Sequence, residues 1–560
     1  MDIHVTIDFP DDLWFATRRW DEASLRSLIR FYAEHGVTGI HWIDYGTIDD
    51  GLFDRGTYLD RMGTARDFIT AVPDPLRVVA DEGRRLGMRV YSVLKIFDLC
   101  GEMPWSTLPA GAGRRVGTSF IGGEGVHAHR WIRDHPRLRA ELHPSLRERT
   151  PRLPVSRLRL WHEGPALPSC GFRLLTSADN RDYRPYGGPQ RIEIGERRRR
   201  PPVFAPAPAR AFGPEAMSTC IEFSGLAIDA PFIAIETEGC CVLANTLEAL
   251  VELEDVAGNA VAFTLGLIPV VTPENRRPDW KTAGIAFDAA FGTSIPGRGW
   301  TDTRSGGRFR HELAPRGFLG IARGRNEHLA GIVELAYPEV REWLVGLAIR
   351  AAEAGCDGVD VRTTTHTESL DFENYGFGPP IVEAMRARHG VDIGSDGFDR
   401  AAWRRLRGSF LDLLLAQMRE ALHRRGKSLI VQLASNFDKP AEETCFHEIH
   451  VDWRRWCRER AFDIANLIAF RFAGTFYWDA IAACRESGIP LMMTPSMHAA
   501  SDEVWATEGR ELLEHCLADG IGTFNIYESG YITRLEERGF AKLHPPLWAL
   551  VEEFRSRPGG

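Results

Sequence analysis

Hydrophobic and polar positions along this chain alternate between two periods. In the run Cys356-Asp357-Gly358-Val359-Asp360-Val361-Arg362, Val359 and Val361 share one parity while Asp360 and Arg362 share the other. That pattern predicts a strand packed against helices on one side and tipped with charge on the other. Directly before it, Val340, Trp343, Leu344, Leu347 and Ala348 recur at the spacing of one buried helix face, opened by Pro338 and stopped by Gly355. The first hundred residues repeat the rhythm. Strands are predicted over 3–9, 38–45 and 89–97, with a helix carried by Leu25, Leu28, Ile29 and Tyr32 and another opened by Asp74-Pro75.

From about residue 99 to 335 helical patterns fade, and short β-like runs appear between Gly, Pro and Asn, as at 191–194, 219–223, 232–235 and 261–265. After Pro338 the strand–helix rhythm returns, with strands predicted at 356–362, 428–434, 467–472, 490–495 and 521–527. Three early and five late strands make eight, which calls for a closed barrel more than an open sheet. The expected fold is α/β, a (β/α)8 TIM barrel interrupted after strand 3 by an inserted β-sandwich domain. Residues 1–100 then form the first part of the barrel and 101–335 the insertion, with its sandwich at about 150–275. Residues 336–560 form the remainder of the barrel.

Composition changes the picture little. At 560 residues with 44% hydrophobic content the chain has room for a large core, and a net charge of -9 gives no reason to expect nucleic-acid binding. The basic run Arg197 to Arg200 enters Pro201-Pro202 and suits a solvated loop. Ten cysteines without a Cys-x-x-Cys pair suit reduced thiols. No stretch is apolar enough to span a bilayer, and the N-terminus has no secretory pattern, so the expectation is a soluble cytoplasmic chain, or a secreted one if a leader has been removed.

In a closed parallel barrel the carboxyl ends of the strands carry the chemistry. Polar residues predicted there include Asp8, Asp44, Tyr45, Lys95, Asp98, Asp360, Arg362, Gln432, Asn436, Arg471, His498, Asn525, Tyr527 and Glu528, with Trp42, Trp478 and Trp505 near the same rim. Such a collection suits a polyhydroxylated ligand that needs many directional hydrogen bonds, with tryptophans to stack on sugar faces. Glycoside hydrolysis needs two carboxyl groups, and Asp360 and Glu528 are the preferred pair, closing opposite strands. Arg362 beside Asp360 favours a base, nucleophile or sugar-binding role for Asp360, leaving Glu528 as the acid. Glu528 reaches the pocket only if its strand ends at Tyr527. The loop after the fourth strand adds His366, Glu368, Asp371 and Glu373, with Glu368 the rival acid.

Other chemistries are weaker. Lys95 suits a Schiff base, although pairing with Asp98 or Asp44 is the commoner outcome. His447-Glu448-Ile449-His450 is one residue short of a zinc-protease helix, no nucleotide-binding glycine fingerprint follows a strand, and no metal or cofactor is expected.

The segments Ala336-Tyr337-Pro338-Glu339-Val340-Arg341-Glu342-Trp343, Cys356 to Arg362 and Tyr375-Gly376-Phe377-Gly378-Pro379-Pro380 resemble bacterial glycoside-hydrolase-like (family 10-like) TIM-barrel proteins. The resemblance covers roughly 1–100 and 320–550. It implies a barrel, acidic positions at Asp357 and Asp360 with Asp357 structural, and an oligosaccharide or glycoside substrate. The expected function is therefore a glycoside hydrolase without a redox cofactor. The alternatives are a sugar lyase, isomerase or aldolase on the same barrel, or a non-catalytic carbohydrate-binding protein, with the insert a sugar-binding lid or a homo-oligomer contact.

Overall fold

The computed structural model describes residues 1–9, 12, 16, 18–44, 68, 70–97, 100–102, 126–128, 130–146, 153–162, 171–180, 182–198, 217–238, 251–266, 316–325, 327–363, 372–394, 397–434, 445–446, 448–469, 475–495, 497 and 501–556. Its centre is a closed parallel barrel of eight strands. In order these are β1 (Asp2–Ile7), β2 (Gly39–Ile43), β3 (Arg89–Lys95), β4 (Gly358–Arg362), β5 (Ser428–Ala434), β6 (Ile464–Ala469), β7 (Leu491–Pro495) and β8 (Thr523–Tyr527). β8 pairs back onto β1, Thr6 lying opposite Tyr527. All eight predicted strands are present. The sixth starts earlier than expected, at Ile464 rather than 467, because Ala465 continues the outward apolar face of Leu467 and Ile464 joins the inward apolar residues.

Strand alternation sorts the barrel into two surfaces. Val5, Ile7, Ile40, Trp42, Val90, Leu94, Val359, Val361, Leu429, Val431, Leu467, Met493 and Ile526 face outward and share one buried cluster with the surrounding helices. Among those helices are α1 (Glu22–Glu34), α2 (Pro75–Arg85), α3 (Pro338–Ala354) and α4 (Arg400–His423). Asp21 caps α1 by accepting from the Ser24 N–H at 2.7 Å, and Gly355 ends α3 with φ 105.

The inward face has three tiers. Tyr91, Ile430 and Met492 make an apolar plug with Ile464. A tier of buried hydrogen-bonding side chains crosses the barrel above it, and charged groups lie at the carboxyl ends. Gly358 sits where β4 meets β5: a Cβ built there would come within 2.3 Å of the Ser428 carbonyl oxygen. Because that neighbour is backbone, Gly358→Ala is expected to destabilise the fold by about 1–3 kcal/mol, read as a lowered urea midpoint. An unchanged midpoint would show that the two strands separate freely.

Between β3 and β4 the described residues include two larger antiparallel sheets and two two-stranded ones. Strands Arg191–Arg198, Met217–Ile228, Val155–His162 and Val251–Asp255 adjoin in that order. Phe263–Gly266, Arg316–Arg323, Phe232–Glu238, Gly171–Ser177 and Arg184–Pro185 form the second sheet. Leu158, Ile221 and Leu253 of the first share a buried cluster with Leu174, Ile235 and Ile321 of the second. The segments flanking this region belong to the barrel's packing instead: Ala140, Leu142, Ile332, Val333 and Leu335 join the barrel cluster.

Candidate functional site

The carboxyl end of the barrel holds two polar pairs. Lys95 at the end of β3 donates to Asp8 Oδ2 at 3.1 Å, both side chains largely buried. Arg362 at the end of β4 reaches across to β8, where its Nη1 donates to the Tyr527 hydroxyl at 3.1 Å and its guanidinium lies 5.5 Å from the ring centre. β4 and β8 are diametrically opposed in the barrel order. Their side chains thus meet across the opening.

Glu528 follows directly. β8 ends at Tyr527, the condition for Glu528 to leave the outward series, and Glu528 is 4% exposed. Burial pushes the Tyr527 hydroxyl well above its ordinary pKa, the Glu528 charge adds to the rise, and Arg362 opposes it. The segment beyond is pinned from outside the strand. Ser529 Oγ donates to the Asp12 carboxylate, and Thr533 Oγ1 donates to the Ser529 carbonyl at 3.1 Å. The Tyr32 hydroxyl closes that set 2.8 Å from Thr533 Oγ1.

Below the opening lies Asp360, with 0% exposure. Its Oδ2 receives His41 Nδ1 at 2.9 Å and Asn466 Nδ2 at 2.9 Å. Oδ1 has no hydrogen-bond partner among the described residues. A carboxylate only accepts, so His41 carries its proton on Nδ1. His41 Nε2 then faces His4 Nδ1 at 3.1 Å. Gly39 makes room for His4, since a Cβ there would fall 2.4 Å from the imidazole Nε2.

Burial lowers the His4 pKa well below the ordinary histidine value, with His41 and Arg89 adding to the fall. The folded state therefore binds fewer protons at His4 than the unfolded chain. Its contribution is intact above pH ~6.5 and is lost as the pH falls below that value. As the pH falls from 7.5 to 5.5 this site is therefore expected to lower the stability of the fold. His4→Gln should remove that part of the pH dependence in urea titrations, and an equally steep loss in the variant would show that His4 is not its source.

Several sequence-predicted residues lie elsewhere. Trp42 is 1% exposed and faces outward, its ring 5.1 Å from that of Phe9, so it is core and not a sugar platform. Asp44 also faces outward, in an ion pair of 2.5 Å with Arg350 of α3, because it shares parity with Ile40 and Trp42. Trp505 is fully buried, whereas Trp478 is 48% exposed in the first turn of the helix after β6. Arg362 bonds Tyr527, whereas Asp360 is held by His41 and Asn466. Lys95 pairs with Asp8, and Asp44 with Arg350; Asp98 lies outside the described residues.

Asp357 accepts from the Val90 N–H at 2.9 Å, at the end of the barrel away from the opening. Gln432 is inward and 5% exposed. Glu448 of the histidine-flanked run bonds Arg404 at 2.6 Å. Tyr45, His366, Glu368, Asn436, Arg471 and His498 lie outside the described residues, as do Asp98 and Asp371.

The residues that sequence reasoning passed over are His4, Thr6, His41, Asn466 and Thr494. Each is a polar side chain at an inward position of an otherwise apolar strand. Parity, applied to the middle of each strand as well as to its tip, was the available signal. Among the described residues no group of three or more His, Cys, Asp or Glu side chains is placed to hold a metal ion, and no helix is long and apolar enough to cross a membrane.

No family model matches the sequence, and no curated protein matches it. Among solved structures the chain is similar to the glycoside hydrolase domain of PgaB (BpsB) from Bordetella bronchiseptica, at 14% identity over 41% of this chain and 66% of that one, TM-score 0.29. It is also similar to the GH20 exo-β-N-acetylglucosaminidase of Vibrio harveyi, at 6% identity over 88% of this chain and 41% of that one, TM-score 0.30. A third is the β-galactosidase of the psychrophilic Marinomonas ef1, at 9% identity over 100% of this chain and 62% of that one, TM-score 0.37. Each match spans less than two thirds of the length of the protein it resembles.

Proposed function

We propose that this chain is a carbohydrate-active enzyme, a glycoside hydrolase that works with two carboxyl groups from opposite sides of the barrel opening, Glu528 and Asp360. The observation that carries the reading is the Arg362–Tyr527 hydrogen bond of 3.1 Å, which joins the tip of β4 to the tip of β8. Asp360 stands two residues before Arg362 on the same inward face, and Glu528 follows Tyr527. The pair thus flanks one contact.

In this reading Glu528 protonates the leaving glycosidic oxygen. Glu528 is 4% exposed and follows Tyr527 at the end of β8, the place from which it would serve as the general acid. Asp360, fixed by His41 and Asn466, stabilises positive charge developing on the sugar ring or orients the attacking water. Arg362, Tyr527, Lys95 and Gln432 present the directional donors and acceptors that hold hydroxyl groups. In this reading the sheets inserted between β3 and β4 are a β-sandwich that serves as a sugar-binding lid or an oligomer contact.

Lys95 pairs with Asp8 at 3.1 Å, an arrangement that suits a sugar-binding cation. The test is a panel of aryl α- and β-glycosides and natural oligosaccharides with wild type, Glu528→Gln and Asp360→Asn. Turnover in wild type that collapses in both variants, with folding retained, supports the reading. Saccharide binding without turnover in any of the three would replace it with a binding protein.

A further inference from the structure

The buried tier of the barrel has a direction, and it points at Asp360. Starting from the carboxylate, each hydrogen bond fixes the next. Asp360 Oδ2 accepts, so Asn466 presents its amide nitrogen, at 2.9 Å. The Asn466 oxygen then accepts from Thr494 Oγ1 at 2.6 Å, which uses the only hydroxyl proton Thr494 has. Thr494 Oγ1 in turn accepts from Asn525 Nδ2 at 2.9 Å. Asn525 Nδ2 also reaches Thr6 Oγ1 at 2.9 Å, and the Thr6 hydroxyl returns a bond to Asn525 Oδ1 at 3.3 Å. All five side chains are buried, with exposures of 0% for Asp360 and Asn466, 1% for Asn525, 3% for Thr494 and 4% for Thr6.

Water does not interrupt such a chain easily, and in a low-dielectric interior successive bonds polarise one another. On the other side His41 bonds the same Oδ2 and is itself backed by His4. Both branches end on one oxygen, so Asp360 is held through Oδ2, and Oδ1 is buried with no hydrogen-bond partner among the described residues.

We propose that Asn466, Thr494 and Asn525 are positioning residues for Asp360, a directional relay from β6, β7 and β8 that holds its carboxylate in the orientation the reaction needs. The inference rests on the glycosidase reading for its kinetic consequence, but not for its structural one. The relay residues touch no substrate and act through Asp360. Loss of the Thr494 proton frees the Asn466 amide to turn, and Asp360 then loses one of the two donors that hold it.

The experiment compares wild type, Thr494→Val and Thr494→Ser. Valine keeps the shape and removes the donor; serine keeps the donor. Thr494→Val is expected to lower kcat about tenfold or more with KM within about twofold, and Thr494→Ser to restore kcat. Equal losses in valine and serine variants would mark a packing role and overturn the proposal.

A second readout needs no substrate. In protein with 15N-labelled histidine, His41 is expected in its Nδ1–H form in all three proteins, with its Nδ1 resonance displaced in Thr494→Val, where Asp360 has lost its other donor, and unchanged in Thr494→Ser, and with His4→Gln used for assignment. An unchanged His41 spectrum in Thr494→Val overturns the relay whatever the kinetics show. A changed spectrum in a protein that cleaves no glycoside keeps the relay and removes the glycosidase reading instead. If Thr494→Val does not fold, Thr6→Val at the start of the chain takes its place, with a smaller effect of the same sign on both readouts and no effect on either counting against the relay.

Discussion

Glu528→Gln is expected to lower kcat on glycosides with poor leaving groups by about 10²–10⁴-fold, the range that a general acid contributes. The substitution conserves shape at a site of 4% exposure, so the fold should remain. The loss should depend on the leaving group. An alkyl glycoside departs as a basic alkoxide and needs the proton, whereas a nitrophenyl glycoside departs as a stabilised phenolate and needs it less. Measuring both substrates therefore separates a missing acid from a damaged pocket, which would slow the two alike. Asp360→Asn, by contrast, should slow both, because its charge is used at the sugar ring. Undiminished turnover by Glu528→Gln on the alkyl substrate would remove Glu528 from the mechanism and turn attention to Glu368 as the acid.

Arg407→Met is expected to cost about 3–5 kcal/mol of stability. Glu334 lies just before α3 and Arg407 on α4, 3.4 Å apart with both side chains 1% exposed. Burial raises the Glu334 pKa, and Arg407 is the largest opposing influence. Removing the cation leaves a carboxyl group inside the protein with its main compensation gone. Arg407 also bonds the Glu448 carbonyl at 3.2 Å and lies 5.1 Å from the Trp403 ring centre, contacts that the methionine loses as well.

The sign of the pH dependence follows from the raised folded-state pKa of Glu334. The folded protein takes up this proton more readily than the unfolded chain, so stability from this group is fully present below the ordinary glutamate pKa and declines as pH rises through the folded value. Arg407→Met should deepen that decline, and adding Glu334→Gln should recover part of the loss. Urea unfolding of the three proteins reads the effect, and a cost below about 1 kcal/mol for the single variant would show that the carboxyl finds another partner or protonates without strain.

The strand tips illustrate how far local pattern carries. Alternation points to Asp360 and Arg362, and position at a predicted strand end to Gln432 and Tyr527; all four lie at inward positions of their strands. Asp44 and Trp42 were assigned to the same rim because they end a predicted strand, but β2 stops at Ile43 and their parity turns them toward the helices. A predicted strand end carries an uncertainty of a residue or two, and one residue reverses the face. Arg362 was paired with Asp360 as its neighbour two positions on. A long guanidinium stem instead carries the charge across the opening to Tyr527, a distance that no local pattern encodes.

By itself the sequence determined the number and approximate place of the eight strands, the helices around residues 22–34, 75–85 and 338–354, and the polar face of β4. These follow from side-chain periodicity and from residues such as Pro338, Gly355 and Asp74 that act on their own few neighbours. Closure of β8 onto β1 decided the rest. It brought Thr6 against Asn525, 519 positions apart, and His41 against Asp360, 319 apart. Hydrogen-bond partners are chosen by distance in space, and in a barrel that distance is set by register and stagger around the whole ring, so only the assembled structure could join Asp360 to its relay.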